Sequence, residues 1–190
     1  MARYDKGHKA ATRQRIIETA SRRFKQDGID GSGIATLMAD AGLTNGAFYA
    51  HFESKEDLVA HIVAEELHLQ AERLRALEPG PAALEGFVRE YLSPEHRDTP
   101  SAGCPSAALL DEIGRCSPET RNAYTAGAEA IIATISTHLS PKQPQKLRGK
   151  AITLFALLVG TLQLARAVSD DKLSAEVLEN GLQNALSFIR

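Results

Sequence analysis

The sequence has no tryptophan, two cysteines and only 5% aromatic residues, which argues against several kinds of protein. Two cysteines do not make the disulfide framework of a small secreted domain, and they indicate reduced thiols. No glycine-rich phosphate loop, Ser-His-Asp set or acid–base pair stands out, so we expect no enzyme and no cofactor. The residues after Met1 lack the apolar core of a secretion signal, which predicts a cytoplasmic protein.

Long hydrophobic runs are also scarce. The one long uncharged stretch covers residues 151–165 and is interrupted by Thr153, Thr161 and Gln163. It is too short to cross a bilayer comfortably, so we expect a buried helix and no membrane partner.

The charges that are present divide unevenly along the chain. Residues 1–55 hold nine Lys/Arg against six Asp/Glu, and the remainder holds thirteen against eighteen. Within residues 1–25 the numbers are eight against two. A basic N-terminal segment followed by an acidic remainder is typical of a nucleic-acid-binding protein, although the same charges could simply form a solvated face.

Residues 32–55 are typical of two short helices joined by a tight turn. Ser32 is placed to cap the first helix, Gly42 to end it in the left-handed conformation, and Thr44 to cap the second. Ser54 then starts a capping box in outline that opens a longer helix. The predicted inward positions are Ile34, Leu37, Met38, Phe48 and Phe52. Two helices crossing through such a turn form the helix-turn-helix that reads DNA.

The side chains after the turn are suited to DNA. Asn45 can pair with an adenine edge and Ala47 can touch a thymine methyl group. Tyr49, His51 and Lys55 can donate hydrogen bonds to phosphates, although core packing is the alternative for Tyr49. Because one short helix makes few contacts, we expect a two-fold dimer on a palindrome.

The same residues carry a family resemblance. Residues 41–52 read AGLTNGAFYAHF and residues 54–58 read SKEDL, a pattern that resembles the signature of the TetR family of bacterial transcriptional regulators. The resemblance implies an all-α protein of about nine helices. Residues 1–54 would form a three-helix DNA-binding domain, and residues 55–190 a helical ligand-sensing and dimerisation domain.

The resemblance also implies functional roles. The positions expected to face the major groove are Thr44, Asn45, Gly46, Ala47 and Tyr49. His51 and Lys55 would hold the DNA backbone, and the last two helices would form a four-helix interface in a homodimer. A small molecule held between the body helices would release the repressor from its palindromic operator.

Periodicity and breakers place the helices. We expect the first from Thr12 to about Gln26, the fourth over residues 55–77, and the fifth over 82–92. A loop should follow over residues 93–103. The remaining helices are expected over 105–115, 117–139, 143–168 and 174–189.

The body offers a candidate sensor. Cys104 lies just before a helix that starts at Pro105, where free amide groups favour a thiolate that could react with electrophiles or oxidants. An inert buried cysteine is the alternative. The candidate ligand-lining residues are Phe87, Tyr91, Leu110, Tyr124 and Phe155.

Three weaker possibilities stay open. His61, Glu65 and His68 share a helix face at metal-ligand spacing, although we expect no metal there. A thiol-based oxidoreductase would use Cys104 as its nucleophile, but it lacks a paired Cys-x-x-Cys. A helical ligand-binding module with a vestigial DNA-binding part is the third.

Overall fold

The chain folds into helices alone over the part that the structure describes. A computed structural model describes residues 2–189, with side chains from residue 7 onward. Ten α-helices and two short 3-10 turns, Pro100–Ala102 and Pro144–Leu147, account for its regular structure. The α-helices are α1 (Ala2–Asp27), α2 (Ile34–Asp40), α3 (Asn45–Phe48), α4 (Lys55–Arg75), α5 (Pro81–Tyr91), α6 (Pro94–Asp98), α7 (Pro105–Arg115), α8 (Pro118–Leu139), α9 (Arg148–Ala167) and α10 (Asp171–Ile189).

The all-α prediction is confirmed, and two boundaries differ from expectation. α1 begins at Ala2 instead of Thr12, whose hydroxyl donates to the His8 carbonyl one turn back, as it can inside a helix. The predicted loop 93–103 contains α6, which raises the number of helices from nine to ten. Ser93 caps α6 by accepting from the His96 amide (3.1 Å), ahead of Pro94.

Two predicted caps are also corrected. Gly33 is the N-cap of α2, and the hydroxyl of buried Ser32 donates instead to the Gly28 carbonyl (3.1 Å). Thr44 holds the N-cap position of α3 without a side-chain capping bond. The cap at Ser54 is confirmed, because its oxygen accepts from the Asp57 amide at 3.1 Å.

The N-terminal unit, α1 to α3, closes over a small apolar core. Phe24, Leu37, Phe48 and Phe52 are all 2% exposed or less. α4 then runs from this unit into the body, α4 to α10, where it packs along α8. One long helix therefore spans the junction between the two regions.

α9 is buried on one face only. By length and composition the segment Pro144–Ala167 could cross a membrane, a test that the core helix of a water-soluble protein also passes. Its inner face packs on α8 and α10, while Ile152 and Leu164 remain 43% and 53% exposed. The buried face agrees with the expected buried helix, and burial of the exposed face by a second subunit stays a prediction.

Candidate functional site

The turn between α2 and α3 fixes how α3 is presented. Gly42 has a φ of +66°, a left-handed conformation that glycine adopts without strain. Its amide donates to the Ala39 carbonyl (2.9 Å), and the Leu43 amide donates to the Met38 carbonyl (2.8 Å). These paired bonds form a Schellman motif that satisfies the end of α2 and sends the chain directly into α3.

The outer face of α3 carries unburied polar groups. Thr44, Asn45 and Gly46 are exposed, and Tyr49 is 66% exposed. Ala47 is half-buried at the edge of this face. The backbone at Gly46 has nothing within 4 Å of its missing Cβ, so a partner could approach it closely.

His51 lies beside the basic end of α1. Burial, together with the charges of Lys9 and Arg13, lowers the pKa of His51, and its Nδ1 atom has no hydrogen-bond partner. The Arg13 guanidinium stacks over Phe52, 4.8 Å from the ring centroid. The sequence pattern included Lys9 and Arg13 only as part of a basic segment. Their helical spacing of four was the signal that could have placed them together.

Lys55 occupies the first turn of α4 and is half-buried. Its ammonium lies 5.9 Å from the centroid of Phe24, so part of the side chain covers the small core. It also lines a small pocket with Ile29, Asp30 and Glu112, at the junction with α7. The exposed groups of α3, with Arg13 and His51 near them, offer hydrogen-bond donors and a cation around a short projecting helix, which is the layout of a DNA-binding surface.

A second candidate site is a cavity of about 920 Å³ in the body. It lies between α1, α4, α5 and the segment from Ser93 to Pro105, and Phe87, Tyr91 and Cys104 line it. The other predicted ligand residues lie outside this lining. Phe155 is 6% exposed in the core, Leu110 is partly buried against that core, and the Tyr124 hydroxyl donates to Ser106 (3.2 Å).

Two buried polar atoms in the cavity wall have no partner. They are the amide oxygen of Gln70 and the hydroxyl of Tyr91, whose residue is 3% exposed. Burial, then the neighbouring Cys104, raises the pKa of Tyr91 well above its usual value of 10. Unpaired buried groups are costly, so both atoms are ready to bind a polar group of an occupant.

The backbone around Cys104 is held by His96 and Arg166. The Cys104 amide donates to Nε2 of His96 (3.2 Å), and Nδ1 of the same ring donates to the Tyr91 carbonyl (2.8 Å). This pair of bonds requires a neutral ring, and burial lowers the pKa of His96 accordingly. Arg166 of α9 donates to the carbonyls of His96, Arg97 and Ala107. Sequence reasoning missed both residues, because neither belongs to a local motif.

Two contacts join the N-terminal unit to this region. The Lys25 ammonium of α1 bonds Glu66 of α4 and the carbonyl of Gly103. Glu112 of α7 accepts from the amides of Ile29 (2.8 Å) and Asp30 (3.3 Å). Neither contact was predicted from the sequence.

The remaining titratable candidates are engaged elsewhere. His61 pairs with Asp57 (2.9 Å), and Glu65 accepts from Gln14 of α1 (2.9 Å). Among the described residues, no group of three or more His, Cys, Asp or Glu side chains is placed to hold a metal ion, and His68 is therefore not part of one. Cys116 is half-buried at the far end of α7, where burial raises the pKa of its thiol.

The outer face of α9 is largely apolar, and α10 adds one exposed leucine to an otherwise mainly polar outer face. Ile152, Leu164 and Leu173 are 43%, 53% and 45% exposed, and Ala156 and Gly160 lie exposed between the first two. Within the subunit, α10 approaches α9 closely at Gly181, where a Cβ would lie 2.6 Å from Oγ1 of Thr161.

Comparison with known proteins shows which sequences and folds this chain is similar to. Residues 16–62 match the family model described as bacterial regulatory proteins, tetR family. The HTH-type transcriptional repressor NemR of Escherichia coli (strain K12) is 27% identical over 94% of both chains. A crystal structure of the reduced form of E. coli NemR superposes with a TM-score of 0.77 at 25% identity, covering 92% of this chain and 95% of that one.

Other relatives share one region or the fold. The HTH-type transcriptional regulator AcrR of Shigella flexneri is 40% identical over 62 residues, which span 33% of this chain and only 29% of that regulator. A TetR-family regulator from Cytophaga hutchinsonii has the same fold, with a TM-score of 0.76 at 21% identity over 95% of both chains.

Proposed function

Because the chain belongs to the TetR family of bacterial transcriptional regulators, we propose that it is a homodimeric repressor released from a palindromic operator by an effector. The observation that carries this proposal is the exposed polar face of α3 beside the basic end of α1. As a DNA-binding protein it would act in the cytoplasm, where the DNA is.

The DNA contacts follow from the exposed groups. Asn45 and Ala47 would read base edges in the major groove, with Thr44, Gly46 and Tyr49 beside them. His51 and Lys55 would bind phosphates, joined by Arg13. The DNA-binding domain would comprise residues 1–54 and the sensing and dimerisation domain residues 55–190, with the boundary at the start of α4.

The dimer would form through α9 and α10. Three large apolar side chains, Ile152, Leu164 and Leu173, face solvent there, although helices of this kind normally bury such groups. The small residues Ala156 and Gly160 would let a partner helix approach α9 closely. Two copies would place two α3 helices on the two halves of a palindrome.

The effector would occupy the cavity, react with Cys104, or do both. An occupant offering a hydrogen-bond donor and acceptor would satisfy Gln70 and Tyr91. Alkylation of Cys104 would form a carbon–sulfur bond at the cavity wall, while the leaving group departs and the thiol proton passes to solvent. Either event would act where the Ser93–Pro105 segment meets α1.

The alternative, a thiol oxidoreductase, needs a second thiol close to Cys104. Cys116 lies at the opposite end of the eleven-residue α7, about 18 Å away at the helical rise per residue. A disulfide requires Cα atoms within about 7 Å, so these two cysteines cannot form one in this fold. This separation favours a sensing role for Cys104.

The proposal is tested by DNA binding and release. The purified protein should shift DNA from upstream of its own gene, and treatment with iodoacetamide should release it. Cys104→Ser should bind the DNA and no longer respond, whereas Cys116→Ser should respond as the unaltered protein does. A protein that shifts no DNA, or a Cys104→Ser variant that is still released, would contradict the proposal.

A further inference from the structure

Lys25 differs from the other basic residues of α1 whose side chains the structure describes, because its side chain is buried. It is 5% exposed and lines the cavity. Its ammonium bonds both carboxylate oxygens of Glu66 (3.0 and 2.8 Å) and the carbonyl of Gly103 (3.0 Å). An ammonium has three donors, so every one of them is used.

The carbonyl that Lys25 binds belongs to a tightly fixed stretch of backbone. Gly103 directly precedes Cys104, whose amide is bonded to His96. A Cβ at Gly103 would lie 2.7 Å from Cδ2 of His96 and 3.3 Å from the Arg166 guanidinium. A side chain at position 103 therefore has no room unless this backbone moves, and the next residue, Cys104, lines the cavity in which an effector would act.

We propose that the Lys25–Gly103 hydrogen bond is a latch that holds α1 in the orientation that binds the operator. Displacement of the Gly103 carbonyl by modification of Cys104, or by an occupant of the cavity, opens the latch and frees α1. The proposal rests on the repressor function above and names the contact through which the effector acts. A hydrogen bond to a charged group changes an equilibrium roughly 10- to 100-fold, which is the range of ordinary allosteric coupling.

The contact at Glu112 supplies a matched control. It also joins the N-terminal unit to the body, through the amides of Ile29 and Asp30, but it lies outside the cavity that contains Cys104. If the latch is specific, Glu112→Ala can weaken operator binding without changing the response to modification. If coupling is spread across the whole junction, this variant will lose the response as well.

The experiment measures the operator Kd before and after iodoacetamide treatment, and takes their ratio as the response. We expect a ratio of roughly 10–100 for the unaltered protein and for Glu112→Ala. Lys25→Met should bind the operator about tenfold more weakly or worse before treatment, with a ratio near 1. The double variant Lys25→Met/Glu66→Gln keeps the net charge and leaves no unpaired buried carboxylate, so it serves if Lys25→Met does not fold.

Gly103→Ala tests the latch without any reagent. The added methyl group should displace the carbonyl and weaken operator binding in a Lys25-dependent manner, so that Gly103→Ala combined with Lys25→Met is no weaker than Lys25→Met alone. A full response in Lys25→Met, or a response lost equally in Glu112→Ala, would overturn the latch. If the unaltered protein ignores iodoacetamide while Gly103→Ala still acts through Lys25, the latch stands and the Cys104 sensor fails.

Discussion

The α3 face and the Cys104 region use polar groups in opposite ways. On α3, Asn45 and Tyr49 are exposed and come from one short run of sequence. Around Cys104, buried and half-buried groups from α1, α6 and α9 hold one stretch of backbone through Lys25, His96 and Arg166. A surface that binds a partner can thus be local in sequence, whereas a site that must transmit a change is assembled from distant elements.

The largest expected effect comes from disrupting the proposed dimer, which would present two copies of the α3 face. Ile152→Asp/Leu164→Asp places charges on the apolar face of α9 and should give a monomer by light scattering. Because two half-sites bind together, operator affinity should fall at least about 100-fold. Leu77→Asp alters an equally exposed leucine outside that face and should leave the dimer intact. If the variant with both aspartates is still a dimer, the interface lies elsewhere on the subunit.

Variants of the proposed DNA-binding residues should distinguish base reading from phosphate binding. Asn45→Ala should lower discrimination at one base position by about 1–3 kcal/mol in a binding-site selection. Lys55→Ala and Arg13→Ala should weaken all sequences alike and reduce the salt dependence by about one phosphate each. Unchanged selectivity in Asn45→Ala would remove that residue from base reading.

Two tyrosines of the body form a matched pair: Tyr91 is buried in the cavity wall, and Tyr124 is half-buried outside it. Tyr91→Phe removes a hydroxyl that has no partner, so the free energy of unfolding should stay constant or rise by about 1 kcal/mol. Tyr124→Phe breaks a bond to Ser106 and should lower it by about 1 kcal/mol. Chemical denaturation measures the free energy of unfolding of both variants. A clear loss in Tyr91→Phe would mean that its hydroxyl is bonded in solution.

The smallest effect is a pH dependence of stability. The pKa values of His51 and His96 are lowered in the folded protein, so the unfolded chain binds more protons below about pH 6.5. The free energy of unfolding should therefore fall as the pH drops from 6.5 toward and past the lowered pKa values, by at most about 1.4 kcal/mol per pH unit for each group. His96→Gln should flatten this slope, and a slope unaffected by both His96→Gln and His51→Gln would refute the assignment.

The sequence predicted what depends on neighbours along the chain. The all-α class, the Gly42 turn, the Ser54 cap and the start of α7 at Pro105 follow from local residue types. The start of α1 and the additional helix α6 were not predicted, because the polar residues of both segments still form helical backbone hydrogen bonds. The partners of Cys104 were not predictable, because Lys25 and Arg166 lie 79 and 62 residues away.

The position of Arg166 bears on how many Cys104 thiols must be modified before the protein leaves its operator. It lies on α9, the helix expected to form part of the dimer interface, while its guanidinium donates to backbone carbonyls on both sides of Cys104. In the proposed dimer, modification of Cys104 in one subunit would thus act on the α9 that packs against the other subunit. Release from the operator would then follow the fraction of dimers that carry at least one modified Cys104. It would begin well before half of all Cys104 thiols are modified.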